Sequence, residues 1–420
     1  MIASHFHRGS HRAVQHRASL SPVQPWCTIA DSLTHPIAAA LSTSPAFTYV
    51  DQQAQFAPLF DAMDRVTEVS LDTEADNLFR YRTHICLLQI MADKQIFLVD
   101  LLAPVSFEGF WSRLATKHLV MHGSDFDLRL LYDFCGFKAH SLFDTMMAGQ
   151  LLNLPRVGLA SLLEQHFGVV LAKEGQKANW SKRPLPEKLL KYASLDVFYL
   201  PGLRDILRTE LEHRQRLVWQ EQRCRWQIES ALTGFPQNDE HAWRIGRSER
   251  LGPRGQCVLW SVWHWREEVS RKLDQPPFKI TGNDVLIEIG ARADADLPEE
   301  AILAINLGRR HPRLIGSLTE AVHAGLAKNP STLPRRHRNR DSGSMPLNSS
   351  ELQLQDRLKS DRDRVARQLN LDPTLIANRS QLAHIAREPD RLDEILLPWQ
   401  ADLLRNEPAL KTKEQEDAGR

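Results

Sequence analysis

The chain has 420 residues, of which 42% are hydrophobic and 25% are charged. These proportions are typical of globular proteins, and the length exceeds what one hydrophobic core usually organises, so we expect two or three domains. The 53 basic residues nearly balance the 52 acidic ones, so net charge identifies no class of partner. No apolar run approaches the ~20 residues that a membrane-spanning helix needs. The five cysteines are widely spaced without a CxxC pair, which indicates a reducing compartment. We therefore expect a soluble, cytoplasmic protein with no membrane partner.

Residues 1–45 contain several arginines and histidines but no acidic residue before Asp31. Organelle transit peptides have such a composition, and so do disordered extensions. We interpret this segment as a disordered extension, with targeting as the alternative.

Residues 46–212 have the pattern of one α/β domain. Three short apolar runs, 69–71, 85–91 and 96–99, are separated by turns and predict an antiparallel meander. A further strand is expected at 119–121, followed by a helix. Helical segments are then expected at 142–153, 158–167 and 186–212. Strands first and helices after them predict a mixed sheet with flanking helices.

The remainder of the chain is predicted to be all-helical. Apolar residues at helical spacing form a core stripe of Val258, Val262, Trp265 and Val269. We divide this half into a helical domain over 213–327, a linker over 328–350, a second helical segment over 351–410 and a tail over 411–420. The linker contains the basic cluster 335–340, which is either a solvated flexible segment or a contact for nucleic acid.

Acidic residues and one tyrosine form three local patterns. Asp72 and Glu74 are two apart in a strand, so their side chains share a face, where a divalent cation would offset their repulsion. Tyr192 and Asp196 are four apart in a helix and share a face of it. Asp127 follows a strand-to-helix turn, where an acid at a helix N-terminus is the ordinary explanation. Taken alone, each pattern also fits solvent-facing residues.

In this order and spacing, the patterns resemble the DEDD exonuclease superfamily, and within it the ribonuclease D family. The three family motifs are matched by 71–76, by 122–131 and by 192–196. The family's tyrosine subtype has its tyrosine four residues before the last aspartate, as Tyr192 stands here, whereas its histidine subtype has a histidine at the position of Lys191. The resemblance implies a ribonuclease H-like exonuclease fold over 46–212.

The resemblance also implies a mechanism and a substrate. Two divalent ions, Mg²⁺ or Mn²⁺, would be held with Asp72 bridging both, Glu74 and Asp196 on the first ion and Asp127 on the second. Tyr192 would orient the attacking water. The implied activity is 3′-5′ hydrolysis of RNA to 5′-nucleoside monophosphates. The implied substrates are the 3′ ends of tRNA precursors and other small structured RNAs.

A basic and aromatic segment precedes the Tyr192 helix and is a candidate for binding the substrate strand. Its members are Lys173, Lys177, Trp180, Lys182 and Arg183, and the alternative is a core Trp180 with solvated lysines. Tyr81, Arg82 and His122 are further candidates for contacting the terminal nucleotide. Asn179 departs from the family, which commonly has aspartate there, so a charge at this position is in doubt.

The stretch 251–289 resembles the HRDC domain, and 350–405 is a candidate for a second, divergent copy. The implied role is auxiliary nucleic-acid binding, and the alternative is a bundle that shields the catalytic cleft. Two other functions stay open, a DNA exonuclease with the same chemistry and an inactive RNA-binding scaffold. The oligomeric state is also open.

Overall fold

The computed structural model describes residues 45–171, 175–235, 240–305, 312–334 and 346–411. The predicted extension before residue 45, the candidate Lys173, the basic cluster 335–340 and the tail beyond 411 lie outside these ranges. Within the described ranges, no helix combines the length and apolar character needed to span a bilayer.

One mixed sheet of six strands, in the order β1-β4-β3-β2-β5-β6, organises the first domain. The strands are β1 (Phe47–Val50), β2 (Glu68–Ala75), β3 (Ile85–Ala92), β4 (Gln95–Asp100), β5 (His118–Met121) and β6 (Ser141–Asp144). The predicted meander of β2, β3 and β4 is confirmed as antiparallel, whereas β1, β5 and β6 pair in parallel with their neighbours. Asp93 and Lys94 turn β3 into β4 with positive φ at both positions, as tight hairpins require.

Helices cover both faces of the sheet. In chain order they are α1 (Phe56–Asp64), α2 (Phe110–Leu114), α3 (Asp125–Cys135), α4 (Thr145–Leu151), α5 (Leu159–Phe167), α6 (Glu187–Phe198), α7 (Leu200–His213) and α8 (Leu217–Ala231). Helices α1, α2 and α3 pack on one face, and α6 packs on the other. Two predictions need correction, since 142–144 is strand rather than helix and strands and helices alternate instead of following in two blocks.

The boundary predicted after residue 212 falls at the end of helix α7, ahead of α8. Helix α8 lies beyond it, yet Cys224 and Ala231 of α8 are buried in the core formed by the sheet with α1, α2 and α3. The side chain of Gln227 reaches the turn after β5, where it donates to Ser124 Oγ at 2.6 Å. Helix α8 therefore packs on the first domain, and the boundary stays a prediction.

A separate helical bundle follows, with a core of its own between Trp243 and Leu333. Its helices are α9 (Pro253–Leu273), α10 (Pro277–Ile280), α11 (Asn283–Asp294), α12 (Glu299–Leu303) and α13 (Ile315–Ala327). The predicted stripe on α9 is confirmed, because Val258 and Val262 are fully buried and Trp265 is nearly so. Leu333 is buried in the same core, so the bundle continues past the predicted end at 327.

The second helical segment shares a core with the first domain. Its helices are α14 (Ser349–Leu369), α15 (Pro373–Ile376), α16 (Arg379–Arg387), α17 (Leu392–Ile395) and α18 (Pro398–Arg405). Their apolar residues join those of α4, α5 and α7 in one cluster. Trp399 stacks on Trp219 of α8 with ring centroids 4.7 Å apart. This segment is thus attached to the first domain through apolar packing.

Candidate active site

Strand β2 supplies the first two acids. It lies inside the sheet between β3 and β5, and Asp72 and Glu74 alternate with Leu71 and Thr73 along it. The two carboxylates therefore project from one face, and this is the face on which α6 packs. The β2–β3 register is irregular between Glu74 and Ala75, at the end of the acid-bearing segment.

Helix α6 brings Tyr192 and Asp196 to the same place. Leu189, Ala193 and Val197 are buried against the sheet at a spacing of four residues, which fixes the rotation of the helix. Asp196 is only 5% exposed, and it accepts a hydrogen bond from the Tyr192 hydroxyl. One oxygen of each of Asp72, Glu74 and Asp196 lies within 4.8 Å of the others. Three acids predicted from two separate motifs are thus brought together.

Asp127 reaches the site from the opposite side of β2. It stands in the first turn of α3, and the hydroxyl of Thr73 donates a hydrogen bond to its Oδ1. It is not a member of the three-acid group, but its charge contributes to the raised pKa of both Asp72 and Glu74. Thr73 is not among the residues predicted for the site.

The turn that carries Asp127 is held by a fully buried acid, Asp144. Its carboxylate accepts hydrogen bonds from the backbone N–H groups of Gly123 and Ser124 and from the Ser124 hydroxyl, at 2.8–3.0 Å. It also caps the N-terminus of α4 through two further backbone N–H groups. Gly123 has a φ of +68°, which favours glycine in this tight turn. Asp144 therefore links β6 to the β5–α3 turn and positions Asp127 indirectly.

Electrostatic repulsion and burial dominate this site. Burial, followed by the charges of Asp72, Asp196 and Asp127, raises the pKa of Glu74 to about 10. Burial and the neighbouring acids also raise the pKa of Asp72 well above its ordinary value. Burial raises the pKa of Asp196 to about 7, against the hydrogen bond from Tyr192. Without a cation, the cluster therefore retains protons near neutral pH.

The donor set fits divalent cations. Buried carboxylate oxygens in a close group are the hard ligands that Mg²⁺ and Mn²⁺ prefer, and a bound cation would remove the repulsion that raises these pKa values. The acidic cluster is therefore compatible with divalent-metal binding.

Two residues predicted to contact the substrate, Trp180 and Arg183, contact other residues of the protein instead. Trp180 is 1% exposed and packs near Tyr192, with ring centroids 6.2 Å apart, in agreement with the alternative of a core tryptophan. Arg183 forms a two-pronged ion pair with Asp100, Nε to Oδ2 at 2.5 Å and Nη2 to Oδ1 at 2.6 Å. Burial would raise the pKa of Asp100, but the hydrogen bonds from Arg183 and Tyr49 outweigh it and lower that pKa. The structure does not support direct substrate contacts by Trp180 and Arg183.

The other predicted contacts stay predictions. Lys177 is exposed at the end of a single 3₁₀ turn, Gly175–Lys177. His122, half-buried at the end of β5, lies 2.9 Å from Thr145 Oγ1 through Nδ1, and burial lowers its pKa. Tyr81 is half-buried, and its hydroxyl is hydrogen-bonded to Glu267 of α9.

Gly175 is a site residue that sequence analysis missed. A β-carbon at this position would overlap three ring carbons of Tyr192, so only glycine lets this turn lie against the tyrosine. Its φ is not in the left-handed region, so the requirement comes from space alone. In the sequence, Gly175 lies two residues before the candidate Lys177, but no local pattern links it to Tyr192.

Comparisons with known proteins agree with this architecture. Residues 47–212 match the family of 3′-5′ exonuclease domains. Over 323 residues, the chain is 27% identical to ribonuclease D of Bartonella henselae, an alignment that spans 76% of this chain and 78% of that protein. The fold matches a solved protein from Bifidobacterium adolescentis with a TM-score of 0.71 at 22% identity, covering 87% of this chain and 96% of that one. It also matches Escherichia coli RNase D with a TM-score of 0.64 at 21% identity, covering 89% of this chain and 99% of that one. The predicted fold class is confirmed.

Proposed function

We propose that this chain is a ribonuclease D-like 3′-5′ exonuclease that shortens RNA from the 3′ end and releases 5′-nucleoside monophosphates. The observation that carries the proposal is the group of Asp72, Glu74 and Asp196, whose oxygens lie within 4.8 Å, with the Tyr192 hydroxyl bound to one of them. The choice of RNA over DNA is supported by similarity to ribonuclease D along most of the chain, including parts beyond the catalytic domain.

Two divalent cations, Mg²⁺ or Mn²⁺, would complete the site. Asp72 would contribute to both, Glu74 and Asp196 to the first and Asp127 to the second. When bound, such ions acidify the attacking water and stabilise charge on the leaving 3′-oxygen. Burial and the mutual repulsion of the acids raise the pKa values of Asp72 and Glu74, and a bound cation would offset that repulsion.

Tyr192 acts in this proposal as a hydrogen-bond donor rather than a base. Burial and the charges of Asp196, Glu74 and Asp72 raise its pKa above the ordinary phenol value, so the hydroxyl stays protonated. A protonated hydroxyl can orient a water or a phosphate oxygen but cannot accept a proton from it. Trp180 and Gly175 pack behind and beside the ring and fix its direction.

The helical bundle would guide the substrate strand. Arg80, in the loop after β2, pairs with Asp274 at the end of α9 at 2.5 Å, and the Lys279 ammonium lies over the Phe79 ring. These residues line a groove that continues to Asn179 and Ser181, next to the exposed Lys182. Basic and aromatic side chains along a groove suit a single strand. We propose that this bundle is an HRDC-like domain with an auxiliary role in binding nucleic acid.

The proposed substrates are tRNA precursors and small structured RNAs, processed in the cytoplasm. The fold of Escherichia coli RNase D, an exoribonuclease involved in structured RNA processing, extends over 89% of this chain. The described cysteines 86, 135, 224 and 257 are free thiols, as a reducing compartment would keep them.

A digestion assay tests the proposal. Single-stranded RNA and DNA of one sequence, and a tRNA precursor with a 3′ trailer, are labelled at the 5′ end and incubated with Mg²⁺ or Mn²⁺, and with EDTA. We expect the RNAs to shorten progressively from the 3′ end, and only with metal. Asp72→Asn should abolish shortening, while Asp61→Asn on the exposed face of α1 should preserve it. Faster loss of DNA than of RNA would favour a DNA exonuclease, and no digestion would favour a binding scaffold.

A further inference from the structure

A fully buried glutamine lies directly opposite Asp72 in the sheet. Gln89 is on β3, and the antiparallel register pairs it with Asp72 of β2. Directly opposed residues in an antiparallel pair project from the same face, with β-carbons about 4.5–5.5 Å apart. On its other side Gln89 pairs with Leu98, which is buried against α6. Gln89 therefore points to the face that carries the carboxylate cluster.

The amide of Gln89 is buried without a hydrogen bond. Its exposed fraction is 0%, and neither Nε2 nor Oε1 has a partner among the residues that the structure describes. The hydroxyl of Ser70, two residues before Asp72 on the same face, is buried and unpartnered in the same way. A buried polar group without a partner costs ~1–3 kcal/mol. For the metal-free fold alone, an apolar side chain would serve better at position 89.

We infer that Gln89 is a positioning residue that donates a hydrogen bond to the Asp72 carboxylate when cations are bound, an inference that rests on the proposed function. An ionised carboxylate only accepts hydrogen bonds, so the amide presents its N–H group to Asp72. Its Oε1 then accepts from the hydroxyl of Ser70, which lies diagonally across the strand pair and within reach of a long side chain. Ser70 would donate a hydrogen bond to Gln89, and Gln89 would donate one to Asp72. Together these two hydrogen bonds fix the orientation of the Gln89 amide.

The hydrogen bond from Gln89 would fix the orientation of the Asp72 carboxylate. Hydrogen bonds from outside the ligand set orient ligating groups, and losing one typically weakens metal affinity ~10–100-fold. In this structure, the Gln89 amide has no hydrogen-bond partner among the described residues, although it lies directly opposite Asp72. We expect it to gain one when a bound cation turns the Asp72 carboxylate toward it.

Calorimetric titration of Mn²⁺ into the metal-free full chain tests this role. Gln89→Met keeps the length of the side chain and removes both polar atoms. Gln220→Met on α8 is the matched control, because Gln220 is 1% exposed and also has an unpartnered amide oxygen, yet it lies away from the cluster. We expect Gln89→Met to weaken Mn²⁺ binding by about 10-fold or more, and Gln220→Met to leave it unchanged. The free energy of unfolding without metal should be equal or higher in Gln89→Met than in the wild type.

Three outcomes would overturn the inference. The first is an unchanged Mn²⁺ affinity in Gln89→Met. The second is a metal-free variant that unfolds more easily than the wild type, since the amide would then stabilise the fold itself. The third is failure of both Gln89→Met and Gln89→Leu to fold, which carries the same meaning. Wild-type protein that binds no Mn²⁺ would instead refute the metal site of the proposed function.

Discussion

Replacing Asp196 by asparagine should stabilise the metal-free protein against unfolding and should abolish metal binding by the cluster. Asp196→Asn keeps the size of the side chain and an oxygen that accepts the Tyr192 hydroxyl. Burial moves the pKa of Asp196 from 3.8 to about 7. Each pH unit corresponds to ~1.4 kcal/mol, so ionised Asp196 costs the folded, metal-free protein about 4 kcal/mol.

The stability gained by Asp196→Asn should depend on pH, because folding raises the pKa of Asp196. Because the folded pKa lies above the unfolded one, the folded protein keeps a proton that the unfolded chain has released between about pH 4 and 7. The stabilisation from that proton is complete below about pH 4 and is lost as the pH rises through 7. The advantage of Asp196→Asn should therefore be small at pH 4 and approach its full value at pH 8.

Denaturant unfolding of the metal-free proteins between pH 4 and 8, followed by tryptophan fluorescence, measures this difference. Asp61→Asn removes the same charge from an exposed position on α1 and should gain little. Saturating Mn²⁺ should reverse the order, because only a protein that binds the ion is stabilised by it. The reasoning is refuted if the advantage of Asp196→Asn over the wild type does not grow with pH.

Three further substitutions test individual contacts. Tyr192→Phe removes the donor that orients the water, so kcat should fall by ~10²-fold with unchanged Mn²⁺ affinity, as measured by steady-state kinetics and titration. Gly175→Ala introduces a methyl group into the space of the Tyr192 ring, so kcat should again fall by up to ~10²-fold through misplacement, and unchanged kinetics would show that the ring tolerates the shift. Asp144→Ala leaves the turn before Asp127 without its acceptor and should lower the free energy of unfolding by ~3–5 kcal/mol, which denaturant unfolding measures against wild type.

Local periodicity pairs four of the site residues in the sequence, and the resemblance to the exonuclease motifs joins these pairs and Asp127 into one site. Asp72 and Glu74 share a strand face, and Tyr192 and Asp196 share a helix face, so pairs are visible before the fold is known. Thr73 and Asp144 act through partners 54 and 21 residues away, respectively, in Asp127 and Gly123. Contacts at such separations depend on how elements pack, and no local spacing encodes them.

Other errors have similar causes. Helix α8 continues the helical pattern across residue 212 without a change in composition, so only its buried Cys224 and Ala231 reveal that it packs on the first domain. Strands β1 and β6 have four residues each, and their parallel pairing with β4 and β5 identifies them as strands. Trp180 follows two lysines in sequence and looks like a substrate platform, but its ring is buried by α6.

The most direct test is mass spectrometry of the products formed from one defined RNA oligonucleotide with Mn²⁺. The proposed site predicts 5′-nucleoside monophosphates released in order from the 3′ end, and no product at all from Asp72→Asn. Internal fragments, products with a 3′-phosphate, or equal activity in Asp72→Asn would contradict hydrolysis by the carboxylate cluster.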